Sequence, residues 1–301
     1  MDILVGYSGF VGSNLLLQRE FDTIVNSKNI KVAYNTNPDL LVYCGVPSEM
    51  FIANNDPKYD YYYIENAINN IKKINPNKIV LISTTSVYDG PGKNEDDTID
   101  SSSLFPYGYN RLLLERWVRK KCKNYVIIRL PALYGVNLRK NFIYDYINRV
   151  PTYLKESDYL NLSSSSDIIK KTYNHVAAGF YRKDDGVEIS VLKDEFKRVG
   201  FNTLKFTDSR SSYQFYPLSR LNEDIEYSLN NSIDIINLVT PPISIYDLYY
   251  FLTGEKFINH LNKTPVVNDI HTKWYPAGYI MDKNEELRSI KKYIDGVTGH
   301  E

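Results

Sequence analysis

The chain predicts a doubly wound α/β fold, a parallel sheet with helices on both faces, followed by a smaller C-terminal α/β domain. Ile3-Leu4-Val5 is an apolar run ending at Gly6, and a turn with glycines at 6, 9 and 12 leads straight into Leu15-Leu16-Leu17. Apolar runs at Asp39 to Tyr43 and Lys78 to Ile82 are separated by a helical stretch from about Tyr59 to Lys73, which Asn75-Pro76-Asn77 ends. At 301 residues there is room for such a sheet and for a second domain.

Each element has a physical reason. Gly6 permits a turn that a Cβ hinders, Gly9 lets backbone approach a ligand, and Gly12 lets the helix from about Val11 to Arg19 lie close to the first strand. The N–H groups at Phe10 and Val11 then face outward at the positive end of the helix dipole, a seat for a dinucleotide pyrophosphate. This is a Rossmann-type arrangement. A second strand follows at Thr23 to Val25, and its end faces the adenosine ribose; an acid there would bond the 2′-hydroxyl of NAD. This chain has Asn26-Ser27-Lys28. Nothing at Asn26 repels a 2′-phosphate and Lys28 could pair with one, so NADP and NAD both remain open, with Lys28 as a solvated turn residue the competing reading. Ile30 to Pro38 is too short for a full helix, which abbreviates one crossover. Gly45-Val46-Pro47 follows the third strand, where loops pass beside the cofactor.

Composition narrows the function classes. Lys plus Arg equals Asp plus Glu at 36 each, so no global field gathers nucleic acid or anionic membrane. No apolar stretch approaches a membrane span, and no export signal is read at the N-terminus. Cys44 and Cys122 are too few for a disulfide framework or metal site, and the histidines, His175, His260, His271 and His300, lack metal-ligand spacing. A reducing cytoplasm is the expected location.

The strand at Lys78 to Ile82 delivers Ser83-Thr84-Thr85-Ser86-Val87-Tyr88, and a polar loop leads to Pro106-Tyr107-Gly108-Tyr109-Asn110-Arg111 and an apolar helix. The N-terminal G-x-x-G-x-x-G, the strand-end Ser-Thr-x-x-Val-Tyr and Tyr-x-x-x-basic, in this order, resemble an extended short-chain dehydrogenase/reductase of the nucleotide-sugar epimerase, dehydratase and reductase group. Ile127 to Gly135 is similar to that family's strand and loop beyond the catalytic helix. Tyr213 to Asp224 and Ile236 to Leu248 resemble its late strand and helix, capped by Ser244 and Asp247. The likeness is close over residues 1 to 145 and loose over 213 to 255. It implies a cofactor domain over 1–140 and a mainly substrate-binding domain over 141–301, with about 213–240 returning to the sheet.

Chemistry follows from the same residues. When a hydride reaches or leaves a sugar carbon, the hydroxyl proton must move, which needs a group with an accessible phenolate. Tyr107 is the candidate, with Thr84 sharing the substrate oxygen. A cation one helical turn along at Arg111 is expected to favour the phenolate. The resemblance implies that Tyr107 and Arg111 also meet the cofactor, Arg111 at the nicotinamide ribose, although the family has Lys there; the alternative is that Arg111 points to solvent or pairs with Asp89 or Glu115. Arginine keeps the charge but does not release its proton. Thr85-Ser86 replace the Asp-Glu pair of resembling dehydratases, so dehydration is disfavoured. By the same resemblance Ser86 and Asn141 contact substrate and Arg210 meets its diphosphate, against Arg210 as a loop surface charge.

The resulting expectation is an NAD(P)-dependent epimerase or keto-reductase of a nucleotide-linked sugar, in surface polysaccharide precursor synthesis. Its rival is a catalytically impaired dinucleotide-binding sensor or scaffold, motivated by Arg111. A homodimer is expected through the helices near 59–73 and 107–121. Leu112, Leu113, Leu114, Trp117 and Val118 exceed what one sheet contact needs.

Overall fold

The computed structural model describes residues 1–176 and 179–299; His300 lies outside them. The described chain divides into two compact units, 1–137 with 212–243 and 267–290, and 138–211 with 244–266 and the C-terminal segment from 291.

The first unit is built on a six-stranded parallel sheet. Its leading strands are β1 (Asp2–Val5), β2 (Thr23–Val25), β3 (Leu40–Tyr43), β4 (Lys78–Thr84) and β5 (Tyr125–Leu130). The Ile235–Asn237 strand completes the order Ile235–Asn237, β5, β4, β3, β1, β2. β3 is buried at all four positions, as a strand covered on both faces must be. The helices are α1 (Phe10–Leu16), shorter than the expected run to Arg19, then α2 (Met50–Asn55), α3 (Pro57–Ile74) and α4 (Pro106–Lys121). Asp56 caps α3 by accepting from the Tyr59 N–H, and Asn75, left-handed at φ 55°, ends it.

Only a short 3-10 turn, Ile30–Ala33, lies between β2 and β3. β1 therefore pairs with β2 on one side and with β3 on the other. This makes the gap between β1 and β3 the point where the winding reverses, and ligands of such sheets bind outside the carboxyl ends there.

Core packing covers both faces. One cluster gathers Leu4, Leu15, Val42, Val80 and Ile128 with Tyr216, Leu218 and Ile236 from the returning segments. The other face joins Ile3, Leu41, Ile79 and Ile127 to Ile64, Ala67 and Ile71 of α3 and Leu114 and Val118 of α4. Leu112 packs with Val87, Tyr88, Val239 and Ile270. The apolar residues of α4 offered as a surplus are thus largely used inside this unit: Leu112, Leu114 and Val118 are buried and Trp117 packs partly against the core.

The second unit carries a three-stranded antiparallel sheet in which Phe180–Lys183 lies between Tyr153–Lys155 and Tyr173–His175. Val150, Leu154, Leu162, Ile169, Tyr173, Leu192 and Phe196 form its core. Ser244 caps the Ile245–Thr253 helix, its Oγ accepting from the Asp247 N–H at 3.0 Å.

Candidate active site

Parallel strands place their carboxyl ends at one edge of the sheet, so Gly6 after β1, Asn26 after β2, Gly45 after β3 and Thr84 at the end of β4 share that edge. The glycine turn is closely packed. Gly6 has φ +93°, and a Cβ there would stand 2.7 Å from the carbonyl carbon and oxygen of Cys44. A Cβ on Gly12 would strike the Gly6 carbonyl, and one on Gly9 would lie 3.3 Å from the Gly6 oxygen. Gly9 stands at the N-cap of α1 and provides no side chain to occupy the first N–H groups. Beside this turn, Asn26 donates from Nδ2 to Ser8 Oγ at 3.2 Å, and its Oδ1 accepts from the exposed Lys28 N–H at 2.9 Å.

Thr84 and Tyr107 are brought together. Thr84 Oγ1 accepts from the Ser86 N–H at 3.1 Å and donates to Ser86 Oγ at 3.2 Å, and the Thr84 hydroxyl is among the groups that ease ionisation of the Tyr107 phenol. α4 can come this close because residue 108 is glycine; a Cβ there would collide with the Ser86 carbonyl oxygen. The Tyr107 N–H donates to Asn54 Oδ1 at 2.9 Å, fixing the first turn of α4 to α2.

Arg111 has protein partners other than Asp89 and Glu115. Its guanidinium lies against the Tyr107 ring, 4.2 Å from the centroid, and Nη1 donates to Asp60 Oδ2 of α3 at 2.5 Å. Nη2 donates to the Pro47 carbonyl in the loop after β3. The alternative partners are engaged elsewhere: Asp89 lies 3.7 Å from Lys93, and Glu115 holds Arg129. Arg111 does ease Tyr107 toward phenolate, as expected, but other influences outweigh it. Burial pushes its phenol above the ordinary value; Arg111 pulls the other way, while Asp60 adds to the rise.

Below the pair lies a buried polar network. Glu115, one turn beyond Arg111, accepts from Ser83 Oγ at 2.5 Å and from Arg129 Nη2 at 2.6 Å. Arg129 Nη1 donates to the Tyr88 hydroxyl at 2.6 Å, and Asn237 Nδ2 reaches that hydroxyl at 2.9 Å and the His271 carbonyl at 2.7 Å. Paired in this way, both charges are held with almost no exposure.

The substrate candidates outside this unit have local roles in the second. Asn141 caps the Phe142–Asn148 helix, its Oδ1 accepting from the Ile143 and Tyr144 N–H groups. Arg210 makes a two-pronged contact with Asp208, Nε to Oδ1 at 2.9 Å and Nη2 to Oδ2 at 2.7 Å. Among the described residues no cluster of His, Cys, Asp and Glu could hold a metal ion. No described helix is long and apolar enough to cross a membrane.

Asp60 and Asn54 were missed in the sequence, and Pro47 was read only as part of the loop after the third strand. Asp60 had a signal: the buried positions of α3 are Asp60, Ile64, Ala67, Ile71 and Ile74, a helical stripe with a single charge at its head. Asn54 and the Pro47 carbonyl had none, since one sits in a six-residue helix and the other is backbone.

A family profile described as RmlD substrate binding domain matches residues 9–163, just over half of the chain. No curated protein sequence matches. Among solved structures, a dTDP-4-dehydrorhamnose reductase of Clostridium acetobutylicum is 17% identical with a TM-score of 0.63, covering 99% of each chain. The corresponding reductase of Bacillus anthracis, in complex with NADP, is 14% identical at TM-score 0.63 over 98% of each chain. An enzyme of Bordetella bronchiseptica in complex with NAD and UDP is 12% identical at TM-score 0.61, covering 99% of this chain and 94% of that one. At these identities the likeness establishes a shared fold.

Proposed function

Because the chain belongs to the RmlD substrate binding domain family, we propose that it is an NAD(P)H-dependent reductase of a keto group on a nucleotide-linked sugar. The observation that carries this reading is that α4, packed through Gly108 against the Ser86 carbonyl, sets Tyr107 beside the Thr84 end of β4, at the sheet edge that also carries the glycine turn. A bound reduced nicotinamide supplies hydride. Gly6, Gly9 and Gly12 leave backbone room in which the pyrophosphate would be held, with the N–H groups of Phe10 and Val11 as its donors. Thr84 aligns the substrate oxygen and Tyr107 gives it a proton as charge develops. Solved structures of the same fold include reductases of dTDP-4-dehydrorhamnose, which supports a 4-keto nucleotide sugar as substrate class. Such a product fits the supply of surface polysaccharide precursors.

One observation favours a second reading. Arg111 is held by Asp60 and Pro47, so the cation that would grip the nicotinamide ribose has other partners, as in a catalytically impaired dinucleotide-binding sensor or scaffold. Incubation with 4-keto nucleotide sugars and NADPH or NADH separates the two. Consumption of reduced nicotinamide with a matching reduced sugar supports the enzyme; tight dinucleotide binding without turnover removes it.

Self-association is proposed through α3 and α4, by a surface other than the expected leucines. Tyr59, Tyr61 and Tyr62 of α3 and Tyr109 of α4 are exposed, at 50%, 40%, 58% and 40%. Light scattering that finds a monomer at micromolar concentration removes the dimer.

A further inference from the structure

We propose that Asp60 is a positioning residue: its carboxylate offsets the charge of Arg111 at the Tyr107 ring, so that Tyr107 enters the reaction as a neutral phenol, the proton donor of a ketone reduction. The inference deepens the reductase reading and rests on it. Asp60 is 5% exposed, and its Oδ2 accepts from Arg111 Nη1 at 2.5 Å and from Asn110 Nδ2 at 2.9 Å. Two donors on neighbouring residues of α4 therefore fix one carboxylate oxygen of α3. Asn110 also donates to the Pro57 carbonyl at 3.2 Å, which ties the start of α3 to the same turn. With Pro47 accepting from Nη2, the guanidinium is held on two sides while its carbon stays 4.2 Å from the Tyr107 centroid.

The groups acting on Tyr107 come from every neighbouring element. Arg111 on its own helix favours the phenolate; Asp60 of α3 and Glu49 ahead of α2 oppose it; the neutral Thr84 hydroxyl at the end of β4 eases ionisation slightly. An isolated cation beside a buried phenol would lower the cost of ionising it, which suits a base. Next to a carboxylate the same cation has much of its field cancelled. What remains is a buried phenol with its proton in place.

The step balances. The carbonyl carbon of the keto sugar gains a hydride from the reduced nicotinamide, which leaves oxidised. The carbonyl π pair moves to oxygen, and that oxygen takes the Tyr107 proton. The phenolate then regains a proton from water. No base has to be generated beforehand, so the reduction rate should hold level through neutral pH and fall only as Tyr107 ionises.

Neutralising each charge in turn tests this, read on Tyr107 without turnover. The protein carrying ring-carbon-labelled tyrosine is titrated by NMR, with the Tyr107 signal assigned by its loss in Tyr107→Phe. Asp60→Asn keeps an acceptor for Arg111 but removes the charge, and should ionise Tyr107 about one pH unit lower than wild type. Arg111→Gln should move it the opposite way, and the double variant should return near wild type. The pH at which reduction falls should follow the same order. Identical titrations in Arg111→Gln and the double variant overturn the proposal, and they do so even if Asp60→Asn alone fails to fold. Absence of turnover with the ordered titration intact would instead remove the reductase reading and leave the electrostatics standing.

Discussion

Gly12 faces the carbonyl group of Gly6 so closely that a methyl group at Gly12 would overlap the Gly6 oxygen and lie 2.8 Å from its carbonyl carbon. Gly12→Ala is therefore expected to push α1 off β1, with a stability loss of about 1–3 kcal/mol. Dinucleotide affinity should fall with it, as the turn is the cradle. Gly90→Ala, where nothing stands within 4 Å of the new Cβ, is the control and should change neither. Thermal melts and calorimetric titration with NADPH check both variants.

Tyr107→Phe removes the proton but keeps the ring against Arg111. Turnover of a 4-keto nucleotide sugar is expected to drop roughly 10²- to 10⁴-fold. Dinucleotide affinity should stay within about twofold, because the ring and its contact with Arg111 are kept. Single-turnover kinetics beside a binding titration make the comparison; equal losses in both would mean that Tyr107 shapes the cofactor site.

Arg111→Met leaves Asp60 buried without its guanidinium partner. Breaking such a pair costs about 3–5 kcal/mol, readable in urea denaturation. A guanidinium already committed to Asp60 and Pro47 contributes little to the ribose, so dinucleotide affinity should weaken less than tenfold, against the ten- to hundredfold expected for a direct ribose contact. Arg111→Lys should recover part of the stability only, since one ammonium replaces a two-sided fork.

Glu286 supplies a pH prediction. It is fully buried, its Oε1 accepts from the Phe215 N–H at 2.9 Å and Thr240 Oγ1 at 2.8 Å, and burial pushes it up from 4.5 to about 8. Across that window the folded protein keeps the proton that the unfolded chain gives up. Its stabilising share is thus complete below pH 4.5 and is lost as pH rises toward about 8. Glu286→Gln, uncharged throughout, should flatten this part of the stability profile in urea denaturation and be relatively more stable at the alkaline end.

The sheet was legible because it is local: β1, the glycine turn, β3 and β4 announce themselves in runs of four to seven residues. Tyr107 and Thr84 were legible because their spacing belongs to a strand end and a helix start. Arg111 was not, because its direction depends on Asp60, 51 positions away, and on a backbone oxygen of Pro47. The α4 leucines were misjudged for a similar reason. Leu112 is covered by Val239 and Ile270, which return more than a hundred residues later, and no periodicity within α4 announces them.

The buried network around Arg129 also has a bearing on synthesis of the protein. Tyr88 meets Asn237 across 149 residues of chain, and Asn237 in turn holds the His271 carbonyl. While the ribosome is still short of that segment, the Glu115–Arg129 pair and the Tyr88 hydroxyl lack their closing partner. Closure must then wait for a long loop to be bridged. A nascent chain that stalls before residue 237 would expose half-satisfied polar groups beside apolar strands, which makes it a natural client for chaperones and a poor candidate for expression as an N-terminal fragment.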